Sequence, residues 1–138
     1  MNIKIFLKVN TDLTMLSQVL SWFDQLNQPP LPDKKILWLC QTLLIEGFTN
    51  IVEHAHKNLP LDTPIEIEAV RSNEKIEIRI LSYGEPFDLE QKLQQTVEFA
   101  DNEEDRGRGL KIMSAIADEL RYERIADNRY CLFMSKFY

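Results

Sequence analysis

The sequence predicts an α+β fold: a two-layer sandwich in which a mixed, mostly antiparallel sheet carries helices on one face. Two observations lead to this prediction. Five stretches alternate apolar and polar residues, as half-buried strands do, and three longer stretches repeat apolar residues at helical spacing. The length of 138 residues, of which 44% are apolar, fits a single domain over residues 1–138.

The first half of the chain supplies one predicted strand and two predicted helices. Alternation over residues 2–9 indicates the strand, and Thr11 or Asp12 can cap the helix that follows it. Three closely spaced prolines end that helix, and Asp33 can cap a longer one over residues 34–56. The apolar stripe expected on this second helix is Ile36, Cys40, Leu43, Gly47 and Ile51.

The second half supplies two predicted hairpins on either side of a loop and a helix. Its predicted elements are strands over 65–70 and 75–81, a weakly ordered acidic segment over 83–108 with a short helix near 89–97, a helix over 109–120, and strands over 121–126 and 129–137. Asp127 and Asn128 are suited to the turn of the last hairpin.

Composition excludes several classes of protein. With 16 Lys and Arg against 22 Asp and Glu, the net charge of −6 argues against a nucleic-acid binder. No apolar run approaches the roughly 20 residues that a membrane span needs, so we expect no membrane attachment. Cys40 and Cys131 lie in apolar stretches without metal-ligand spacing, which favours reduced thiols and a cytoplasmic location.

Three polar residues repeat at every fourth position of the second predicted helix. Glu46, Asn50 and His54 would therefore lie along one stripe. A carboxylate and an amide oxygen so placed can hold a hydrated Mg²⁺ ion and orient a nucleophile. The same spacing also suits a helix with a polar boundary, and His56 reads as a helix-end residue.

A second candidate segment runs from Asp105 to Leu110 and contains Gly107 and Gly109 directly before an apolar helix. Glycines at this position let backbone N–H groups approach an anion at the positive end of a helix. A flexible start to the helix would give the same pattern. Neither a P-loop nor a dinucleotide fingerprint is present.

Taken in order, three segments resemble the anti-sigma factor serine kinases of bacteria. These segments are Glu46-x-x-x-Asn50-x-x-x-His54, the stretch from Ile78 to Asp88, and the stretch from Arg106 to Tyr122. That family belongs to the GHKL superfamily and has the histidine-kinase-like ATPase, or Bergerat, fold. The resemblance spans nearly the whole chain.

The resemblance implies ATP and Mg²⁺ as cofactors and a role for each matched residue. Glu46 would be the catalytic general base, and Asn50 would be the metal ligand. A lid would cover the phosphates over residues 93–106. The residues implied in cofactor binding are Asn50, His54, Ser82, Gly84, Arg106, Gly107, Arg108, Gly109 and Leu110.

The sequence departs from the family pattern at the adenine-binding segment. Ser82 stands where the family has an aspartate that accepts the adenine amino proton, and Pro86 replaces a glycine. A charged acceptor contributes roughly 1–2 kcal/mol more than a neutral one, so Ser82 predicts weak or unselective adenine binding. Arg106 replaces a further glycine that is common near the lid.

The resemblance implies a regulator of transcription that phosphorylates a serine on an anti-anti-sigma (STAS-type) partner. A sigma factor is a further candidate partner, and a homodimer is expected. The alternative is a degenerate, non-catalytic partner-switching module that binds regulatory proteins with weak or no nucleotide binding, which Ser82, Pro86 and Arg106 favour. The detached ATPase domain of a sensor histidine kinase fits less well, because no phosphoacceptor helix accompanies it.

Overall fold

The computed structural model describes residues 2–83 and 108–138. Its five strands form one sheet in the order β1-β2-β3-β5-β4, and every pairing between them is antiparallel. The strands are β1 (Ile3–Asn10), β2 (Pro64–Arg71), β3 (Lys75–Ser82), β4 (Glu119–Ala126) and β5 (Arg129–Phe137). The α-helices are α1 (Leu16–Phe23), α2 (Lys34–Asn50) and α3 (Arg108–Ile116). Short 3-10 turns at Leu13–Met15 and Asp24–Asn27 flank α1, and a π-helical turn, Ile51–Ala55, continues α2. This is the predicted two-layer α+β architecture.

The core lies between the sheet and its helices. All five residues of the stripe predicted for α2 are buried in this core. Alternate residues of β3 point into the core from the sheet. Gly47 allows the close contact between the layers, because a Cβ at that position would lie 2.9 Å from both Ile80 Cδ1 and Met134 Cε. Helix α2 is therefore held directly on the middle of the sheet.

Side-chain caps fix the beginnings of the first two helical segments as the sequence predicts. Asp12 accepts a hydrogen bond from the Thr14 amide at 2.9 Å, and Asp33 accepts one from the Lys35 amide at 2.9 Å. Helix α1 is tied to the sheet by the Trp22 indole, which donates to the Phe6 carbonyl at 3.0 Å. The two caps thus fix where the helical segments begin, and the indole bond holds α1 on β1.

Two predicted helix ends were wrong. Helix α2 ends at Asn50 and gives way to the π-helical turn, whereas the sequence predicted an unbroken helix to His56. The last helix ends at Ile116 rather than Leu120, which lies in β4. The chain joins the sheet earlier because the Asp118 amide donates to the Ser135 carbonyl at 2.8 Å and its carboxylate accepts from the Phe137 amide at 2.6 Å.

Charged side chains occupy the sheet face opposite the core. Phe133 is sandwiched there between two guanidinium groups, with Arg79 at 4.7 Å and Arg121 at 4.4 Å from its ring centroid. Arg79 also lies 3.6 Å from the carboxylate of Glu77 and 3.8 Å from that of Glu68. Cation–π contacts of this kind stabilise the position of the aromatic ring between the neighbouring strands.

Both cysteines are free thiols. Burial raises the pKa of Cys40 to about 12, so this thiol is inert at neutral pH. Across residues 2–83 and 108–138, the helices include none with the length and apolar character required to span a membrane.

Candidate functional site

Glu46 and Asn50 lie one turn apart near the end of α2. The Asn50 side-chain amide donates from Nδ2 to the Glu46 carbonyl oxygen at 3.0 Å, and the residue is only 8% exposed. This bond uses Nδ2 as the donor, so Oδ1 is the atom of the side chain that can act as an acceptor. Asn50 therefore carries an amide oxygen one helical turn from Glu46.

The first turn of α3 lies directly against these two side chains. A Cβ at Gly109 would fall 2.5 Å from Glu46 Oε2 and 3.3 Å from Asn50 Nδ2. Only a glycine lets the helix backbone come so close without displacing the carboxylate. The beginning of a helix carries partial positive charge and exposed N–H groups, so this junction combines an anion-attracting backbone with a carboxylate and an amide.

Partial burial changes the acidity of Glu46. Desolvation raises the pKa of this carboxyl above its ordinary value, and the like charge of Glu53 raises it further. A carboxylate with a raised pKa is a stronger base than a solvated one. The proton affinity of Glu46 therefore suits the base role that the resemblance implies.

His54 lies in the π-helical turn and its side chain is exposed. A π-helix has more residues per turn than an α-helix, so the fourth residue after Asn50 no longer stacks directly above it. The stripe predicted from regular spacing therefore bends after Asn50. A nucleotide-binding role for His54 stays a prediction.

Ser82 ends β3 on the core face of the sheet and is fully buried. Its hydroxyl interacts with the Tyr122 phenol and lowers the pKa of that phenol, while burial raises it more strongly. The Tyr122 ring stacks on Tyr130, which is the cross-strand partner of Ser82, with centroids 5.5 Å apart and planes 9° from parallel. Ser82 is thus placed in a neutral, aromatic surrounding.

Asn50 and Ser82 are brought to the same end of the core. Gly47 of α2 lies over Ile80, and six residues beyond Asn50 the His56 side chain accepts a hydrogen bond from the Tyr83 amide at 2.8 Å. The end of α2 therefore runs alongside the end of β3. The residue matches at positions 46, 50, 82 and 109 belong to one region of the fold.

The sequence pattern did not predict the buried position of His56, which is 2% exposed. Both ring nitrogens contact residues that are distant in the sequence. Nε2 accepts from the Tyr83 amide, and Nδ1 lies 2.7 Å from the Thr11 hydroxyl. Both partners are distant in sequence, and no local pattern marks them. Burial of a helix-end histidine is visible only once the sheet is assembled.

The remaining predicted site residues fall partly outside the described structure. Leu110 is 4% exposed and belongs to the core, so its side chain packs against apolar neighbours and leaves only its backbone for a ligand. Arg108 begins α3. Gly84, Arg106 and Gly107, together with the predicted lid over 93–106, lie outside the described residues.

The donor set fits a shared Mg²⁺ site better than a metal site formed by protein alone. Within the described ranges, no group of three or more His, Cys, Asp or Glu residues could enclose a metal ion. Mg²⁺ prefers oxygen ligands and commonly takes only one or two from the protein, with the rest from phosphates and water. The side-chain oxygens of Glu46 and Asn50, two residues one turn apart, match that pattern.

Comparison with known proteins identifies the family of the chain. Residues 9–136 match the model of the histidine kinase-like ATPase domain, so the chain belongs to this family. The fold is similar to a chain in the crystal structure of the SiaB-SiaC complex from Pseudomonas aeruginosa, with a TM-score of 0.65 and 12% sequence identity over 97% of this chain and 89% of that one. No curated protein matches the sequence significantly. The resemblance to the histidine-kinase-like ATPases is confirmed.

Proposed function

We propose that this protein binds ATP with Mg²⁺ and transfers the terminal phosphoryl group to a serine of an anti-anti-sigma partner. The observation that carries the proposal is the approach of Gly109 to Glu46, where a Cβ would lie 2.5 Å from the carboxylate oxygen. A helix start, a carboxylate and the side-chain amide of Asn50 meet there. Phosphoryl transfer requires positioning and charge neutralisation more than covalent chemistry, and these groups supply both.

Each residue then has a separate task. Asn50, held by its bond to the Glu46 carbonyl, offers Oδ1 as a metal ligand, and bound Mg²⁺ would neutralise phosphate charge. Glu46 accepts the proton of the serine hydroxyl as its oxygen attacks the γ-phosphorus and the bond to the β-phosphate oxygen breaks. The raised pKa of Glu46 supports this base role. Backbone N–H groups at the start of α3 face the departing charge.

The regulatory context is part of the proposal. The family membership supports nucleotide binding, and the fold is shared with a chain of the SiaB-SiaC complex, which is a complex of two proteins. We propose a STAS-type anti-anti-sigma protein as the phosphorylated partner, a sigma factor as a further partner, and a homodimer as the active assembly. A single ATPase domain with a lid over 93–106, located in the cytoplasm, completes this proposal.

A non-catalytic partner-switching module is the second candidate, and Ser82 favours it. The hydroxyl of Ser82 is fully buried next to the neutral Tyr122 phenol, where the family has a carboxylate for adenine. A site without that carboxylate gives up part of its adenine affinity. Such a protein would bind its partner without turnover.

Phosphotransfer to a panel of STAS-domain proteins from the source organism separates the two candidates. The wild type and Glu46→Gln are incubated with γ-labelled ATP and Mg²⁺, and serine phosphorylation is followed by mass spectrometry. The proposal expects label on one panel member with the wild type only. Stable complexes with a panel member but no label would favour the non-catalytic module. Glu123→Gln, the same substitution at an exposed position of β4, is the matched control and should transfer label as the wild type does.

A further inference from the structure

The buried imidazole of His56 connects three parts of the chain that are far apart in sequence. Its Nε2 accepts a hydrogen bond from the Tyr83 amide at 2.8 Å, directly after β3. Its Nδ1 lies 2.7 Å from the hydroxyl of Thr11, directly after β1. The Thr11 hydroxyl in turn lies 2.6 Å from the Thr63 carbonyl, directly before β2.

The partners determine the tautomer of this histidine. A backbone amide can only donate, so Nε2 must carry a lone pair and the neutral ring must carry its proton on Nδ1. That proton is donated to the Thr11 oxygen, and the Thr11 hydroxyl proton is donated to the Thr63 carbonyl. Every polar atom in the chain of bonds is satisfied in this single arrangement.

We propose that His56 is a positioning residue for the nucleotide site: its neutral imidazole fixes the backbone at Tyr83 and thereby the Ser82 side chain at the base-binding end. This inference rests on the proposed function. Tyr83 follows Ser82 directly and precedes Gly84, so the bond acts on the backbone that carries Ser82, the residue at the proposed adenine position. Neither Thr11 nor His56 needs to touch the nucleotide.

A protonated imidazole could not make the same contacts. Nε2 would then bear a proton and face the Tyr83 N–H, so acceptor would become donor. Burial, which disfavours the charged form, lowers the pKa of His56 and keeps it neutral at physiological pH. Acidification should therefore break the hydrogen bond from the Tyr83 amide to His56 Nε2.

In the described part of the chain, no carboxylate is paired with the His56 ring. Its direct neighbours are the Thr11 hydroxyl, the Tyr83 amide and the Tyr83 ring, whose centroid is 6.4 Å away. The charged groups on the elements packed around it are Asp12 after β1, Glu53, His54 and Lys57 on its own segment, Asp62 before β2, and Arg129 of β5, which lies over the Tyr83 ring. Among the described residues His56 forms no ion pair with any of them, and burial alone accounts for its lowered pKa.

Three variants test the positioning role by NMR. His56→Gln keeps an acceptor near the position of Nε2 but cannot titrate, His56→Phe keeps the ring volume without either nitrogen, and Thr11→Val removes the acceptor of the Nδ1 proton. The ¹⁵N chemical shifts of the His56 imidazole should show the Nδ1–H tautomer in the wild type at pH 7.5. The protection factor of the Tyr83 amide should fall about five- to tenfold in His56→Phe, which corresponds to one neutral hydrogen bond, and remain within twofold in His56→Gln.

A pH series provides a readout that mere packing would not give. Tyr83 protection and ATP affinity should both fall in the wild type between pH 7.5 and pH 5, and neither should fall as far in His56→Gln. Measuring both proteins in the same buffers cancels the titration of the nucleotide's own phosphate. An Nε2–H tautomer, or equal pH profiles for the two proteins, would overturn the proposal.

Failure of the proposed function has a different signature. If the wild type binds no ATP at any pH, the proposed function fails and the nucleotide part of this inference falls with it. The tautomer and the Tyr83 exchange still decide whether His56 fixes the backbone. If His56→Phe folds, loses Tyr83 protection and yet binds ATP as the wild type does, the positioning role is wrong while the proposed function stands.

Discussion

Gly109 and Glu46 are in such close contact that a Cβ at position 109 would lie 2.5 Å from the Glu46 carboxylate oxygen. The first turn of one helix thereby meets the side chain that the proposal makes the base. Asn50 lies one turn further along α2, and its Nδ2 would be 3.3 Å from the same Cβ. This contact is the structural centre of the proposed site.

Gly109→Ala should reduce phosphoryl transfer at least tenfold with little change in thermal stability. The added methyl group must push the Glu46 carboxylate aside, but the end of that side chain can rotate, and alanine favours the helix by roughly 0.5–1 kcal/mol over glycine. Initial rates and melting temperature are measured together. Lys111→Ala, an exposed change in the same helix, is the control and should alter neither.

Gly47→Ala should have the opposite profile. Here the methyl group meets Ile80 and Met134 in the core, and we expect a net loss of about 1–2 kcal/mol in the free energy of unfolding. Denaturant titration measures that loss. An unfolding free energy equal to or above that of the wild type would show that the packing between helix and sheet adjusts to the methyl group without cost.

Asn50→Ala should abolish the Mg²⁺-dependent part of ATP binding, whereas Glu46→Gln should spare binding and remove transfer. The first variant loses the oxygen beside the phosphates, and the second loses only the proton acceptor. Asn50→Ala also loses one helix hydrogen bond worth about 0.5–1.5 kcal/mol, so melting curves must confirm that it is folded. Equal loss of binding in both variants would show that the roles are misassigned.

The rate of transfer should rise with pH through the native pKa of Glu46, which desolvation and Glu53 raise above the ordinary value. Glu53→Gln removes the like charge, so the midpoint should move to lower pH. Glu74→Gln, on the distant β2–β3 turn, changes the net charge equally and should not move it. A common shift in both variants would point to net charge rather than to Glu53.

The same raised pKa has a consequence for stability. The native state holds the Glu46 proton more tightly than the unfolded chain does, so this group favours folding below the ordinary pKa and that contribution is lost as pH rises through the native value. Glu46→Gln should flatten this part of the stability profile. An unchanged profile would mean that Glu46 titrates as a solvated group.

Ser82→Asp should tighten ATP binding on the order of tenfold without a comparable gain for GTP. A carboxylate accepts from the adenine amino group and repels the guanine carbonyl, and the charged bond is worth roughly 1–2 kcal/mol more than the neutral one. Calorimetric titrations compare the two nucleotides, with Ser82→Asn as the neutral control. Equal improvement for GTP would show that position 82 does not read the base.

Local periodicity was sufficient to predict most of the fold and the pairing of Glu46 with Asn50 on one helix face. The stripe from Ile36 to Ile51, the caps at Asp12 and Asp33, and the turn at Asn128, whose φ is 60°, were all predictable because their causes lie within a few residues. Spacing on a helix likewise placed Glu46 next to Asn50. These predictions needed no knowledge of the partner strand.

Features that depend on the assembled sheet were not predictable in this way. The burial of His56, which directly follows the π-helical turn, depends on its contacts with Thr11 and Tyr83, 45 and 27 residues away in sequence. The early end of α3 follows from the pairing of Asp118 with β5. In each case a long-range hydrogen bond outweighed the local helical pattern.

Calorimetric titration of ATP into the wild type, with Mg²⁺ and with EDTA in its place, tests whether this chain binds ATP together with the metal. We expect saturable binding of one ATP per chain that weakens at least tenfold without the metal, and loss of that metal dependence in Asn50→Ala. No heat of binding in Mg²⁺ buffer, or equal affinity with and without the metal, would contradict it.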